Sequence, residues 1–366
     1  MLIGEPLSNQ KPGLFCINYS NRDFSRKEAW GKNCFNSTFP AALSAFIQSC
    51  GLENIYLKLD SSYKVVHSSI LTSELYGLAP NSNNLFYAFE TQFTPYQQYL
   101  IGSLPRVDLV LQARDTGACL RPLEVKLTAL PDRTTCNLSE SLYGCELVIR
   151  PDTIVYLACM LIDGILSHNI PYNDLLDPRL LSEINGIEFD NVLQIVPALI
   201  EIIDRVAFSL LDYQKPLLLQ PVWKTEGKSP KLSENCLDVF VWSDLAFTRL
   251  FVDLVKTEIQ LSGSIRLITR PVRTLIWLFK MLSDFCNAGN FNAKRIIDNL
   301  SYNTKNDKAF AVSGSFTNRY MKCSQLECPR ITKYQIQQIV LGGGQNLLSP
   351  ERRFDAIIYN SPDLFT

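Results

Sequence analysis

The sequence predicts an α/β protein with a mixed core of strands and helices, and three observations carry that prediction. In the short run 123–127 apolar residues alternate with charged ones, and in 107–111 Val107, Leu109 and Leu111 share one parity with Asp108 on the other, as in strands. A run opening at Pro151 sets Ile154, Leu157, Ala158, Leu161, Ile162 and Ile165 at helical spacing. The chain has 366 residues, 46% of them hydrophobic, enough to fill the core of one large domain or two ordinary ones.

In chain order, a polar, aromatic-studded loop spans 18–39 and contains Asn21-Arg22-Asp23-Phe24 and Trp30-Gly31-Lys32-Asn33. A helix is expected over 40–50, with Thr38 as its cap and Pro40 in its first turn. A second helix is expected over 64–76, and the aromatic run 85–93 reads as a strand. The two alternating runs flank Asp115-Thr116-Gly117, residue types that set turns. Beyond the helix at Pro151, a long helical region covers 190–213. The interval 216–235, with Lys224-Thr225-Glu226-Gly227-Lys228-Ser229-Pro230 inside it, reads as loop-rich, and 237–242 as a strand. A soft boundary is drawn between 235 and 236, with one continuous domain as the alternative. A helix over 271–287 ends at Ala288-Gly289-Asn290, and from there to Lys333 the chain is polar and basic with interleaved aromatics. No internal repeat is present.

The net charge of -1 hides an asymmetry. Residues 261–366 hold 14 Lys+Arg against 7 Asp+Glu, a balance of +7, and the rest of the chain carries -8. Phosphate binding would lean on the C-terminal third, although ordinary drift of charge along a chain gives the same pattern. Eleven cysteines are scattered without a C-x-x-C pair, and only His67 and His168 offer nitrogen ligands. That argues against the common zinc patterns and for free thiols in a reducing cytoplasm. The first residues lack the basic region and apolar run of a signal peptide. The apolar stretches near 154–166 and 192–200 are broken by Asp163 or bounded by Asp190 and Glu201, short of a membrane span. A soluble, cytoplasmic protein is expected.

The chemistry centres on the two alternating runs. Leu123, Val125 and Leu127 take one face of their strand, which leaves Glu124 and Lys126 side by side on the other. Val107, Leu109 and Leu111 likewise oppose Asp108, and a hairpin joining the strands brings Asp108 alongside Glu124. Mg²⁺ takes oxygen ligands and keeps several waters, so Asp108, Glu124 and the carbonyl of Val125 suit it as a donor set. Lys126 then orients a water and stabilises charge developing on phosphorus. A solvated strand face with a cross-strand ion pair gives the same pattern. The triplet Glu-x-Lys also arises by chance, and Glu226-Gly227-Lys228 is a second one, without flanking alternation.

Asp108, followed sixteen residues later by Glu124-Val125-Lys126, resembles the bipartite Asp…Glu-x-Lys motif of the restriction-endonuclease-like nuclease superfamily. Val107 stands where a proline is usual, with Pro105 two residues upstream of it. Over most of its length the chain is similar to type II restriction enzymes of the HindVP type. The supporting segments are Gly13-Leu14-Phe15, Ser20-Asn21-Arg22-Asp23-Phe24, Trp30-Gly31-Lys32-Asn33, Ile149-Arg150-Pro151-Asp152-Thr153-Ile154, Lys308-Ala309-Phe310-Ala311-Val312 and Thr317-Asn318-Arg319-Tyr320-Met321. The resemblance implies a restriction-endonuclease-like core, a mixed central sheet flanked by helices, with additional helical and DNA-recognition elements. In those terms 1–235 is the nuclease core with an N-terminal DNA-contacting loop, and 236–366 a basic DNA-recognition region. It further implies Mg²⁺ as cofactor and double-stranded DNA as substrate. Expected with these are cleavage at GRCGYC to 5′-phosphate and 3′-hydroxyl ends, a homodimer, and a cognate DNA methyltransferase acting on the same site.

Sequence reading by a protein needs Arg, Lys, Asn or Gln at base edges and phosphates. Asn318, Arg319 and Lys322 in the 313–322 segment are the leading candidates, and a polar surface loop is the other account of them. Arg22, Lys32 and Asn33 form a second candidate surface, and Arg266, Arg270 and Arg273 a candidate phosphate track or a solvated face. Glu74, in the helix expected over 64–76, and Glu146 are candidates for an extra acid. Gly227-Lys228-Ser229 lacks the upstream glycine of a phosphate loop, and two histidines leave little for a Ser/His/Asp triad. Two other classes stay open: a nuclease-like DNA-binding module that does not cut, and a structure-specific DNA repair nuclease.

Overall fold

Strand alternation becomes sheet faces, and helices cover both of them. The computed structural model of the chain describes residues 17, 19–21, 32–126, 147–171, 192–225, 232–262, 268–312, 331–332 and 334–335. Its elements are α1 (Lys32–Ser49), β1 (Asn54–Leu59), β2 (Val65–Ile70), α2 (Thr72–Tyr76), β3 (Leu85–Thr91), β4 (Val107–Ala113), β5 (Cys119–Val125) and β6 (Leu147–Ile149). There follow α3 (Pro151–Ser167), α4 (Val192–Ser209), β7 (Pro216–Thr225), β8 (Leu232–Ser243), α5 (Asp244–Ser262), α6 (Arg270–Ala288), α7 (Ala293–Asn299), β9 (Phe310–Val312) and β10 (Ile331–Thr332).

The main sheet has the order β2-β1-β8-β7-β5-β4-β3, with β10 also paired to β8. Its β1–β8 and β5–β7 pairs are parallel and the others antiparallel, so the sheet is mixed, as expected for the α/β fold. Along β4 and β5, Leu109, Leu111, Leu123 and Val125 face Phe39, Ala42 and Leu43 of α1 and Leu75 and Tyr76 of α2. On the other face, Val110, Leu218, Phe240 and Trp242 pack with Leu157 of α3, Leu199 of α4, Phe247 of α5 and Leu278 of α6. Adjacent residues of β8 divide between the faces, Val239 and Val241 to one and Phe240 and Trp242 to the other.

The α3 helix begins at Pro151 as expected, but it buries Val155, Tyr156, Cys159 and Met160 as well as the anticipated stripe. A helix apolar on most sides is packed all round, and α3 shares one core with the sheet and with α6. The α6 stop also holds, with Gly289 at φ 73° closing the helix.

Three local expectations fail. The helix placed at 40–50 starts at Lys32, so Pro40 lies inside α1 and Thr38 is a buried helical residue instead of a cap. Proline removes one helix hydrogen bond, and burial of Phe39, Ala41, Leu43 and Ile47 offsets that loss. The helix expected over 64–76 is strand β2 followed by the short α2, because Asp60 accepts the N–H groups of Ser62 and Lys64 and turns the chain into a hairpin. The loop-rich interval 216–235 contains β7 and the start of β8, and the ladder between them is the longest in the sheet. Among the described residues β5 pairs with β7 at Leu218 and Leu219, so Pro221, which lacks an N–H, lies beyond that pairing. Residues 235 and 236, on either side of the boundary drawn from the sequence, both lie in β8. Among the described residues no helix is long and apolar enough to cross a membrane.

Candidate active site

β4 and β5 form the expected antiparallel hairpin, with Leu109 opposite Leu123 and Val110 opposite Pro122. Its turn holds Asp115-Thr116-Gly117, where Gly117 takes φ 69° and donates to Ala113 O at 2.7 Å. Continuing the register sets Asp108 across from Glu124, both on the face toward α3. The Val125 N–H donates to Asp108 Oδ2 at 2.9 Å, and the Lys126 N–H to Leu219 O of β7 at 2.9 Å. Asp108, Glu124 and Lys126 are thus brought together by one hairpin and one parallel neighbour strand.

Their electrostatics are those of crowded acids. Burial raises the Asp108 carboxyl well above the usual carboxylate range, the Glu124 charge adds to that, and Lys126 and the Val125 N–H oppose it. Lys126 Nζ donates to Glu124 Oε1 at 2.5 Å, with side-chain exposures of 14% and 12%. Thr153 Oγ1, in the first turn of α3, donates to the same oxygen at 3.3 Å. Asp108 Oδ1 and Glu124 Oε2 accept no hydrogen bond from the described residues. Each acid therefore keeps one oxygen in hand, a donor pattern that fits a hard cation completed by water. Among the described residues no group of three or more His, Cys, Asp or Glu is placed to hold a metal. A cation here would rest on the two carboxylates, the Val125 carbonyl and solvent or substrate oxygens.

Several residues around the hairpin were not among the candidates drawn from the sequence. Asp152 lies within reach of Glu124, Lys126 and Arg150, and burial followed by Glu124 raises its carboxyl. Glu90, in β3, adds negative charge beside Asp108 and sits at φ 48°, a left-handed conformation that is rare inside a strand. Asp152 falls in a segment that carries the family resemblance, but its nearness to Glu124, like that of Glu90 to Asp108, is decided by the fold.

The other candidates fare differently. Glu74 lies in α2, where its charge acts on Tyr56 of β1. Two strands, β8 and β7, separate β1 from β5. Lys32 and Asn33 are the first residues of α1. Glu146, Arg22, Asn318, Arg319, Lys322, Arg266 and the Glu226-Gly227-Lys228 triplet fall outside the described residues. Asn21 is engaged at the sheet edge, where its amide donates to Phe89 O at 2.9 Å and accepts the Phe89 N–H at 2.8 Å. Arg273 points inward, fully buried, and so cannot line a phosphate track, whereas Arg270 pairs with Asp307 at 3.4 Å.

A mixed sheet with helices on both faces, carrying an Asp and a Glu-x-Lys on one hairpin, defines a restriction-endonuclease-like nuclease core. Comparison with known proteins agrees. The sequence profile of the HindVP restriction endonuclease family matches residues 30–365, so the chain belongs to that family, a class of site-specific deoxyribonucleases. It is 42% identical over 355 residues to the type II restriction enzyme HgiDI of Herpetosiphon aurantiacus, covering 97% of each chain. It is 44% identical over 357 residues to the probable type II restriction enzyme HindVP of Haemophilus influenzae, covering 98% of this chain and 96% of that one. No solved structure matches.

Proposed function

We propose that the protein hydrolyses phosphodiesters of double-stranded DNA at a specific site in a Mg²⁺-dependent reaction, with Asp108, Glu124 and Lys126 as its catalytic residues. The observation that carries this reading is the convergence of Asp108 and Glu124 across one hairpin, each with one oxygen that accepts no hydrogen bond among the described residues. These oxygens and the Val125 carbonyl would hold the ion, which when bound offsets phosphate charge and acidifies water. Lys126, tethered to Glu124 Oε1, orients the attacking water and offsets charge growing on the non-bridging oxygens. Thr153 holds the same carboxylate oxygen, which leaves Oε2 without a donor among the described residues. Attack in line with the leaving 3′ oxygen yields 5′-phosphate and 3′-hydroxyl ends.

The site we propose is GRCGYC, read as a palindrome by a homodimer and protected in the host by a methyltransferase of the same specificity. Asn318, Arg319 and Lys322 are the proposed base and phosphate contacts, with Arg22, Lys32 and Asn33 as a second surface. The first of these sets then belongs to the part of 236–366 that follows β8, α5 and α6, which are built into the core.

Purified protein mixed with plasmid and Mg²⁺ tests the reading. Discrete fragments with ends at GRCGYC are expected, absent when EDTA is present or the plasmid is methylated at that site. Glu124→Ala and Lys126→Ala should each slow cleavage by at least about 10²-fold while duplex binding persists. Tight binding without cleavage by the native protein would instead favour a binding module, and cutting confined to junctions or ends a repair nuclease.

A further inference from the structure

We infer that residues 302–308, together with Arg150, form a rigid basic shelf that docks the phosphates of the DNA strand beside the candidate carboxylates. The inference rests on the nuclease reading above and extends it to a surface outside the carboxylate cluster. Its contacts are Arg150, Lys305 and Lys308.

The first observation is how the shelf is built. Arg273, 0% exposed, donates to Thr304 O at 2.9 Å, Lys305 O at 2.7 Å and Lys308 O at 2.6 Å. One buried guanidinium thus turns three carbonyls of a loop inward, and its ring partner Trp277 donates to Leu300 O at 3.0 Å just before the loop. Tyr302 and Asn303 take φ 47° and 61° to make the bend. At the far end Thr274 Oγ1 donates to Ala309 O at 3.2 Å. Held by these three carbonyls, the loop has a fixed backbone from which the Lys305 side chain is exposed and that of Lys308 half-buried.

The second observation is where it sits. Immediately after the shelf, the Ala309 N–H donates to Ile149 O at 2.9 Å and Phe310 of β9 pairs with Ile149 of β6. The next residue, Arg150, precedes α3, whose Thr153 touches Glu124. Arg150 Nη1 donates to Asp307 O at 2.9 Å and its charge reaches Asp152 beside the carboxylates.

The third is charge. Asp307 is the one acid of 302–308, and Arg270 pairs with it at 3.4 Å. Lys305 is exposed and Lys308 half-buried, and neither has an ion-pair partner among the described residues. Arg150 is exposed, and among the described residues its guanidinium makes one hydrogen bond, to Asp307 O, with further donors beyond it. A polyanion approaching two carboxylates meets repulsion unless cations at the rim seat its neighbouring phosphates. The shelf supplies such cations in a preorganised frame.

The test is binding of the full chain to a short duplex bearing one GRCGYC site, and to a scrambled duplex, with Ca²⁺ in place of Mg²⁺ and KCl varied. The variants are the Lys305→Ala/Lys308→Ala pair and Arg150→Gln, with thermal unfolding as the check on folding. Removing one cation from a phosphate should flatten the slope of log K against log [salt] by about 0.9, so about 1.8 for the double variant. Affinity should fall alike on both duplexes. Unchanged slope and affinity in variants of a protein that binds normally overturn the shelf, as does a weakening confined to the specific duplex. A native protein that neither binds nor cuts duplex DNA overturns the nuclease reading itself, which the native control distinguishes.

Discussion

Glu124 Oε1 accepts from both Lys126 and Thr153, and the two donors divide the work differently. In the proposed reaction Lys126 would bring charge to the reacting phosphate, whereas Thr153, donating from the first turn of α3, would act as a positioning residue for the carboxylate. A hydrogen bond to a charged group contributes about 1.5–3 kcal/mol, so Thr153→Val should lower the single-turnover cleavage rate roughly tenfold or more. Thr153→Ser, which restores the hydroxyl, should recover most of it. Equal rates for the Val and Ser variants would show that the hydroxyl plays no part. Glu90 is the other residue of interest, since a left-handed conformation in a strand costs on the order of 1–3 kcal/mol and here sets a carboxylate beside Asp108. Asp108, Glu124 and Lys126 were legible because period two separates them from Leu109, Leu123 and Val125. Thr153 and Glu90 were not, because a threonine in a first turn or a glutamate in an aromatic run has no meaning until the hairpin lies against α3 and β3.

At the scale of elements, the junction of β8 and α5 carries a buried acid. Asp244 Oδ1 accepts the N–H groups of Lys215 at 3.1 Å and Leu245 at 2.8 Å, and burial pushes its carboxyl up to about 7. The folded value lies above the unfolded one of about 3.9, so the native state holds a proton that the unfolded chain has released in between. The contribution of Asp244 to stability is therefore full below about pH 4 and declines as pH rises toward about 7, by on the order of a few kcal/mol. Asp244→Asn keeps an acceptor without the charge. Its urea midpoint should vary less between about pH 5 and about pH 8 than that of the native protein, and identical pH dependence would refute this assignment. The same region explains a missed element. β7 joins apolar Leu217-Leu218-Leu219 to Pro216 and Pro221, so its prolines announce a loop, while its burial between β5 and β8 requires no alternation.

For the whole molecule, the palindromic site proposed above would be matched by two copies of the candidate site related by a two-fold axis. Light scattering should give twice the 41.5 kDa chain mass for the protein alone, or that mass plus the mass of one duplex when the dimer forms on the specific site. A single chain bound to that duplex would exclude the symmetric dimer. The order β2-β1-β8-β7-β5-β4-β3 interleaves distant segments, and it is this order that sets β5 against β7 and lets Leu219 O anchor the Lys126 backbone. By itself the sequence determined the α/β class, the hairpin with its turn at Gly117, the α3 and α6 boundaries and the three charged residues of the candidate site, because each is written in local periodicity and in residues with restricted backbone geometry. The tertiary structure alone decided the β7–β8 ladder, the inward turn of Arg273, and the meeting of Thr153, Asp152 and Glu90 with the hairpin. Those depend on contacts between residues far apart in the chain, whose energies no local window contains.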